Sequence, residues 1–298
     1  MRFGIQPVSF HSVIGQMKDS RNVLKFDFTK IVIDAVKRGY RHIELTLDMH
    51  YVLPEVFQKK DIENLIEIKE EHNISYSVHL PLWSIEPSSP NRYIRKGSTD
   101  CLIDAVKMAE PLDPEVYVLH ATGALAAEFS RIEIPERYKK IVLNMISDYG
   151  VSAINRMIKE TNLDPSKLAL ETIEFPLENT LDQIKKIKGV KLCIDTGHVL
   201  AKYPGDYDLF ELTKKYIDIT SEFHLHDGYN FPNRIKGKKI EDHIALGEGE
   251  LPIKFLKLLY EKHFQGPIVF ELNFNQARKS LEFIRKHVPE IDIDFNDQ

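Results

Sequence analysis

Short apolar runs alternate along the chain with longer stretches in which apolar residues recur three and four positions apart. The short runs predict strands at Phe3–Val8, His42–Leu47, Ser75–Leu80, Val116–His120, Leu168–Ile173, Val190–Ile194, Ile219–Leu225 and Ile268–Leu272. Helical spacing fills the intervals, as in Ile31, Ala35 and Val36, in Leu102, Val106 and Ala109, and in Phe255, Leu258 and Leu259. Strands separated by helices pair in parallel through right-handed crossovers. Eight such units within 298 residues predict a closed (β/α)8 TIM barrel rather than an open doubly wound sheet. No GxGxxG opens a helix after the first strand, which argues against dinucleotide binding. The longest helical stretch runs from about Pro135 to Thr161, with Gly150 as an expected interruption. Gly228–Ile240 is the other long insertion. The expected organisation is one barrel domain over residues 1–298, elaborated by a loop at about 228–241.

Composition changes this picture little. Apolar residues at 43% and charged residues at 29% suit a globular chain with a sizeable core. A net charge of −5 exerts no general pull toward nucleic acid or anionic membrane, although a local basic loop can still hold phosphate. Cys101 and Cys193 both sit in apolar runs, so a disulfide framework is not expected and a reducing compartment is. The opening MRFGIQPVSF lacks the pattern of a secretory signal, and no apolar run approaches the roughly 20 residues of a membrane span. A cytoplasmic protein is expected, with no membrane association and no protein partner that can be inferred.

The chemistry gathers at the strand ends. SVHL ends with His79 and its leucine, YVLH with His120, and ALETIE carries Glu171. CIDTGH supplies Asp195 and His198, FHLHD supplies His224, His226 and Asp227, EDHIALGEGE supplies Glu241, Asp242 and His243, and FEL supplies Glu271. Six of the twelve histidines therefore fall at carboxyl ends that share one face in a barrel, the face on which barrel active sites are built. Imidazole and carboxylate without thiolate suit Zn²⁺, Mn²⁺ or Fe²⁺. The same density without metal would require a fully satisfied buried polar network. A divalent metal is expected, Zn or Mn, at one to three ions per chain. The bland alternative for IDTGH is a helix N-cap at Asp195 followed by a surface His198.

Taken in order, these residues resemble the ligand pattern of the xylose isomerase-like barrels, and most of all the endonuclease IV branch, AP endonuclease family 2. SVHLPLW, SPNRYIRKGS, VLHATG, LET, IDTGHV, HLHDG, DHIALGEGEL and FEL occur in family order over nearly the whole chain. The resemblance implies a trinuclear zinc cluster with its nine ligands at His79, His120, Glu171, Asp195, His198, His224, Glu241, His243 and Glu271, Asp242 being the alternative to Glu241. Departures from the endonuclease pattern put DNA specificity in question: Glu241-x-His243 stands where the endonucleases have Asp-x-His. Leu-His-Asp replaces Leu-Asn-Asp after the seventh strand, and a family lysine gives way to Gly228-Tyr229-Asn230. A looser similarity to the cobamide-remodelling phosphodiesterases lies in VHLPL, PLDPEVYVLH and DHIAL.

Two chemistries are compatible with this pattern. Isomerases and epimerases of the superfamily hold one ion through residues matching Glu171, Asp195, His224 and Glu271, with the two glutamates as catalytic proton carriers. Hydrolysis of a phosphodiester on a sugar-containing substrate, small molecule or nucleic acid, would use all nine positions. In that case Asp195 and His198 serve neighbouring ions, with Gly197 letting the chain turn between them. The expected substrate contacts are His226, Trp83, Arg234 and Lys236, the last two in NRIKGKK with Lys238 and Lys239. Arg92, Arg95 and Lys96 form a second candidate basic group, and Tyr229 a candidate stacking ring. Asp227 is expected to orient a ligand histidine.

Overall fold

The computed structural model describes residues 1–8, 27–52, 58–229 and 242–293. Eight strands close into a parallel barrel in sequence order: β1 Arg2–Ile5, β2 His42–Thr46, β3 Ser75–His79, β4 Tyr117–Leu119, β5 Leu168–Glu171, β6 Lys191–Asp195, β7 Thr220–His224 and β8 Pro267–Phe270. Pairing of Arg2–Ile5 with Pro267–Phe270 seals the cylinder. All eight predicted strands are present. The observed strands stop short of several predicted ends; β1, for example, ends at Ile5 rather than Val8. Gln6 still donates its N–H to Phe270 O at 3.0 Å, but beyond it the chain leaves the ladder.

Strand alternation divides the side chains between two environments. One set, including Ile5, Leu45, Tyr76, Leu119, Leu170, Ile194, Phe223 and Phe270, joins the large apolar cluster between barrel and helices. On the lumen side, Val116, Val118, Ala169 and Cys193 form a small cluster of their own. The rest of the lumen is polar, with Glu44, Ser77, His79, Glu171, Asp195, Glu222 and His224 all buried. A lumen this rich in charge is costly unless its groups hold one another or a bound ion.

The long helix spans Glu136–Thr161 without a break, so Gly150 does not interrupt it. A Cβ there would lie 2.8 Å from Gln183 Nε2 and 3.0 Å from Ala121 O. Glycine instead lets the helix close against the loop after β4 and the helix Leu177–Lys186. Among the described residues no helix is long and apolar enough to cross a membrane.

Candidate metal centre

Glu171, at the end of β5, lies at the centre of the mouth. Its Oε2 is 3.2 Å from His79 Nε2 and 2.8 Å from His120 Nε2. Its Oε1 turns the other way, 3.4 Å from His224 Nδ1 and 3.3 Å from His198 Nδ1. His224 Nδ1 also lies 3.7 Å from Asp195 Oδ2 and 3.5 Å from Glu271 Oε2. Donor atoms around one tetrahedral zinc at about 2.0–2.1 Å stand roughly 3.3 Å apart. The observed spacings are close to that.

Three sets of donors thus share the mouth: His79, His120 and Glu171; Glu171, Asp195, His224 and Glu271; and His198, Asp242 and His243. Glu171 belongs to two of them through different oxygens. A fourth grouping, Asp195, His226, His243 and Glu271, overlaps these. The central set passes a direct test of fit to a metal. Glu171 Oε1, Asp195 Oδ2 and His224 Nδ1 are buried, face one another and lack any hydrogen-bond partner. Leaving such groups unpaired costs about 1–3 kcal/mol each, and more where charged. A cation among them removes that cost.

Local geometry also selects which nitrogen each histidine offers. His79 Nδ1 donates to Leu80 O at 2.9 Å, leaving Nε2 for the first set. His198 Nδ1 donates to Thr172 O at 2.8 Å, leaving Nε2 toward Asp242 Oδ2 at 3.9 Å. Backbone carbonyls can only accept, so both tautomers are fixed. Asp195 caps the helix Thr196–Leu200, accepting from His198 N at 2.6 Å, and His198 is only 8% exposed. IDTGH therefore combines the N-cap with a buried imidazole. Gly197 has no positive φ and does not serve as a swivel. Its missing Cβ makes room for His226, whose Nε2 such an atom would meet at 2.8 Å.

Other expectations are redirected. His226 is fully buried and hydrogen-bonds Asp195 Oδ1 at 3.0 Å, so its described partners are donor residues and not the cavity. Asp227 does not orient an imidazole. Its carboxylate accepts the backbone N–H groups of Gly228, Gly247, Gly249 and Leu251, pinning the turn that follows His243. The basic group after β3 is already engaged: Arg95 covers the Tyr149 ring, Lys96 pairs with Asp100, and Arg92 lies over Tyr93. Trp83 does line the mouth, together with Gln6, Asp48, His120, His198, His243 and Glu271, around a cavity of about 230 Å³. Tyr229 hydrogen-bonds Glu248 O. Glu241, Arg234, Lys236, Lys238 and Lys239 lie outside the described residues.

Sequence reasoning missed Gln6, Glu44, Asp48 and Glu222. Glu44 and Glu222 sit inside strands rather than at their ends; strand parity was the signal, because each precedes a lumen-facing mouth residue by two positions. Asp48 Oδ1 accepts the Leu82 and Trp83 N–H groups, holding the loop after β3 over the mouth.

Without metal the cluster balances its charge with protons. Burial opposes a charge on His79 and His243, yet the carboxylates beside them prevail and push the two up to about 9 and about 10. His198 is raised for the same reason, and His224 is raised, against its burial, by Cys193 and then by Glu271, Glu44 and Glu171. Burial would also raise Glu171 and Glu271, but neighbouring imidazolium groups hold both well below the usual carboxylate range. His226 alone goes the other way, kept neutral by burial and by the charge on His243. A histidine raised in the fold contributes stability that is complete below its unfolded value of about 6.5 and vanishes above its folded value. The melting temperature of chelator-treated protein should therefore fall from about pH 6.5 toward pH 10. Zinc-loaded protein should diverge upward over the same range, because ligation needs the imidazoles deprotonated. Thermal melts with and without chelator that ran parallel would contradict this account of the cluster.

Comparison with known proteins agrees with the geometry. The family model described as "Xylose isomerase-like TIM barrel" matches residues 32–287. An uncharacterised protein of Methanocaldococcus jannaschii, MJ1311, is 26% identical over 251 residues, covering 80% of this chain and 77% of that protein. Among solved structures, a D-tagatose 3-epimerase-like protein superposes with a TM-score of 0.69 at 24% identity, covering 97% of this chain and 98% of its own. Endonuclease IV from Thermus thermophilus superposes with a TM-score of 0.65 at 14% identity, covering 98% and 100%. At these identities the structural likeness speaks to the fold.

Proposed function

The chain belongs to the xylose isomerase-like TIM barrel family, and on that basis we propose that it is a divalent-metal-dependent phosphoesterase acting on a phosphodiester of a sugar-containing substrate. One observation carries this reading: the mouth holds three donor sets where a one-ion isomerase needs one. His79, His120, His198, Asp242 and His243 are surplus to the four residues that complete a single site. Zinc or manganese bound there would polarise a phosphoryl oxygen and bring the pKa of a water toward neutrality.

The chain's own groups have distinct tasks. Glu171 stays anionic and presents one oxygen to each of two donor sets, fixing their separation. Glu271 lines the cavity with Oε2 beside His243 Nε2 at 3.1 Å, positioned to orient an attacking water by accepting a hydrogen bond from it. Trp83 lines the cavity, its backbone N–H held by Asp48, where an aromatic ring can contact a sugar. The substrate is a phosphorylated sugar-containing small molecule or a nucleic acid.

A second reading, one-ion epimerisation of a sugar, is favoured by the completeness of Glu171, Asp195, His224 and Glu271 as a set with unpartnered atoms of its own. The superposition on an epimerase-like protein is compatible with it. Metal analysis of protein purified without chelator separates the two, run beside hydrolysis of an aryl phosphodiester and solvent-deuterium incorporation into ketoses. Two or three tightly held ions with aryl phosphodiester cleavage are expected. A single ion with deuterium exchange would replace hydrolysis by epimerisation.

A further inference from the structure

Below the mouth, the lumen carries a second polar layer that neither chemistry uses: Glu44 on β2, Ser77 on β3 and Glu222 on β7, beneath His224. Glu44 and Glu222 are 1% and 0% exposed. Glu44, Glu222 and His224 bring donor atoms close enough to form a candidate cation set of their own. His224, however, has only two nitrogens. Nδ1 faces three carboxylates of the mouth at 3.4, 3.7 and 3.5 Å, so a metal there leaves Nε2 to carry the ring proton. Nε2 lies 3.4 Å from Glu44 Oε1 and, like Nδ1, has no hydrogen-bond partner among the described residues. A cation in the lower set would have to strip that last proton from an imidazole already bound above, which disfavours the lower set as a metal site.

His79 and His198 have backbone carbonyls to fix their tautomers; no carbonyl bonds His224 among the described contacts. We infer that Glu44 is the positioning residue of the centre: with an ion on Nδ1, its Oε1 would close on His224 and accept Nε2–H, so that Nδ1 is the metal donor. Glu44 is itself aimed. Gln6 Nε2 donates to Glu44 Oε1 at 2.9 Å and to Glu271 Oε1 at 2.8 Å. Carboxylates only accept, so the amide must present its nitrogen to both. One glutamine thus ties the orienting carboxylate to a second donor of the same set. Two of the four central donors, His224 and Glu271, are braced from below through Gln6 and Glu44. Glu222 completes the layer beside Glu44, its Oε1 accepting from Ser77 Oγ at 2.9 Å, and no ion pair joins it to His224 among the described contacts.

The inference rests on an ion in the central set, which hydrolysis and epimerisation both require, so its test is independent of which reaction occurs. Zinc binding to the full chain is measured against a competing chelator for wild type, Glu44→Gln and Glu222→Gln. In Glu44→Gln, Gln6 keeps an oxygen at the Oε1 position, but the amide lacks the carboxylate's charge and is a weaker acceptor for Nε2–H. Glu44→Gln should therefore weaken the central ion by about 10–100-fold, while Glu222→Gln stays near wild type. Equal losses in the two variants would reduce Glu44 to a packing role and overturn the inference. Nitrogen-15 spectra of histidine-labelled, zinc-loaded wild type supply a readout that no folding defect can confuse. They should show His224 protonated at Nε2 and shifted by metal at Nδ1. Zinc on Nε2, or anomalous density between Glu44, Glu222 and His224, would overturn the assignment in favour of a deep cation site. Loss of aryl phosphodiester cleavage alone bears on the proposed reaction and not on Glu44.

Discussion

Glu171→Gln should lower phosphodiester hydrolysis by about 10³-fold or more and should depress the metal content by more than one ion. The rate loss corresponds to about 4 kcal/mol, the scale seen when one preorganised group stabilising transition-state charge is lost. The double effect follows from placement. Oε2 serves His79 and His120 while Oε1 serves His224 and His198, so no neighbouring residue can stand in for either oxygen. Glutamine keeps the volume, and its carbonyl can occupy one position. The NH₂ must then take the other, where it repels a cation and meets an imidazole nitrogen that needs an acceptor. The variant should also release His79 from the anion that now favours its charged form. Chelator-treated Glu171→Gln should accordingly lose the part of the decline above pH 6.5 that comes from His79, while the part from His243, held by Asp242 and Glu271, remains. Metal analysis, hydrolysis rates and melts on one preparation check all three. Unchanged ion content would remove Glu171 from the bridging position.

The barrel was legible in the chain because its strands are buried on both sides and bounded by helices, which leaves compact apolar runs. The mouth was legible for a related reason. A polar residue at the end of such a run interrupts the pattern and draws notice, as His79, His120 and Asp195 do. The layer beneath was not legible in the same way. Glu44 lies inside HIELT and Glu222 inside TSEFH, where a charged residue in a strand reads as a solvent-facing position of an alternating pattern. Only closure of the cylinder turns that alternation inward. Gly150 and Gly197 mislead because a sequence shows where glycine permits an unusual φ, not where a neighbouring side chain needs the space of a Cβ. Asp227 misleads because proximity to His226 in sequence says nothing of the backbone N–H groups that converge on it from residues 228–251.

His198→Asn is the variant on which the two chemistries part most widely. The histidine belongs to the set with Asp242 and His243 and lies outside the four residues that complete a one-ion centre. Asparagine is shorter; its amide can still donate toward Thr172 O, preserving the turn, but cannot reach the position of Nε2. Asp195 keeps its cap, since the bond runs to the backbone N–H at 198 and not to the side chain. For a phosphoesterase built on three donor sets, the expected outcome is one ion fewer per chain and hydrolysis slower by roughly 10²–10³-fold, the loss attached to one electrostatic contact with the transferring phosphoryl group. For a one-ion epimerase the same change should leave the metal content at one and the exchange rate within about tenfold of wild type, since only a residue flanking the substrate has been altered. The direction of the metal count decides before any substrate is known. A variant that retained every ion and its full hydrolytic rate would place His198 outside the chemistry and leave Glu171, Asp195, His224 and Glu271 as the working site.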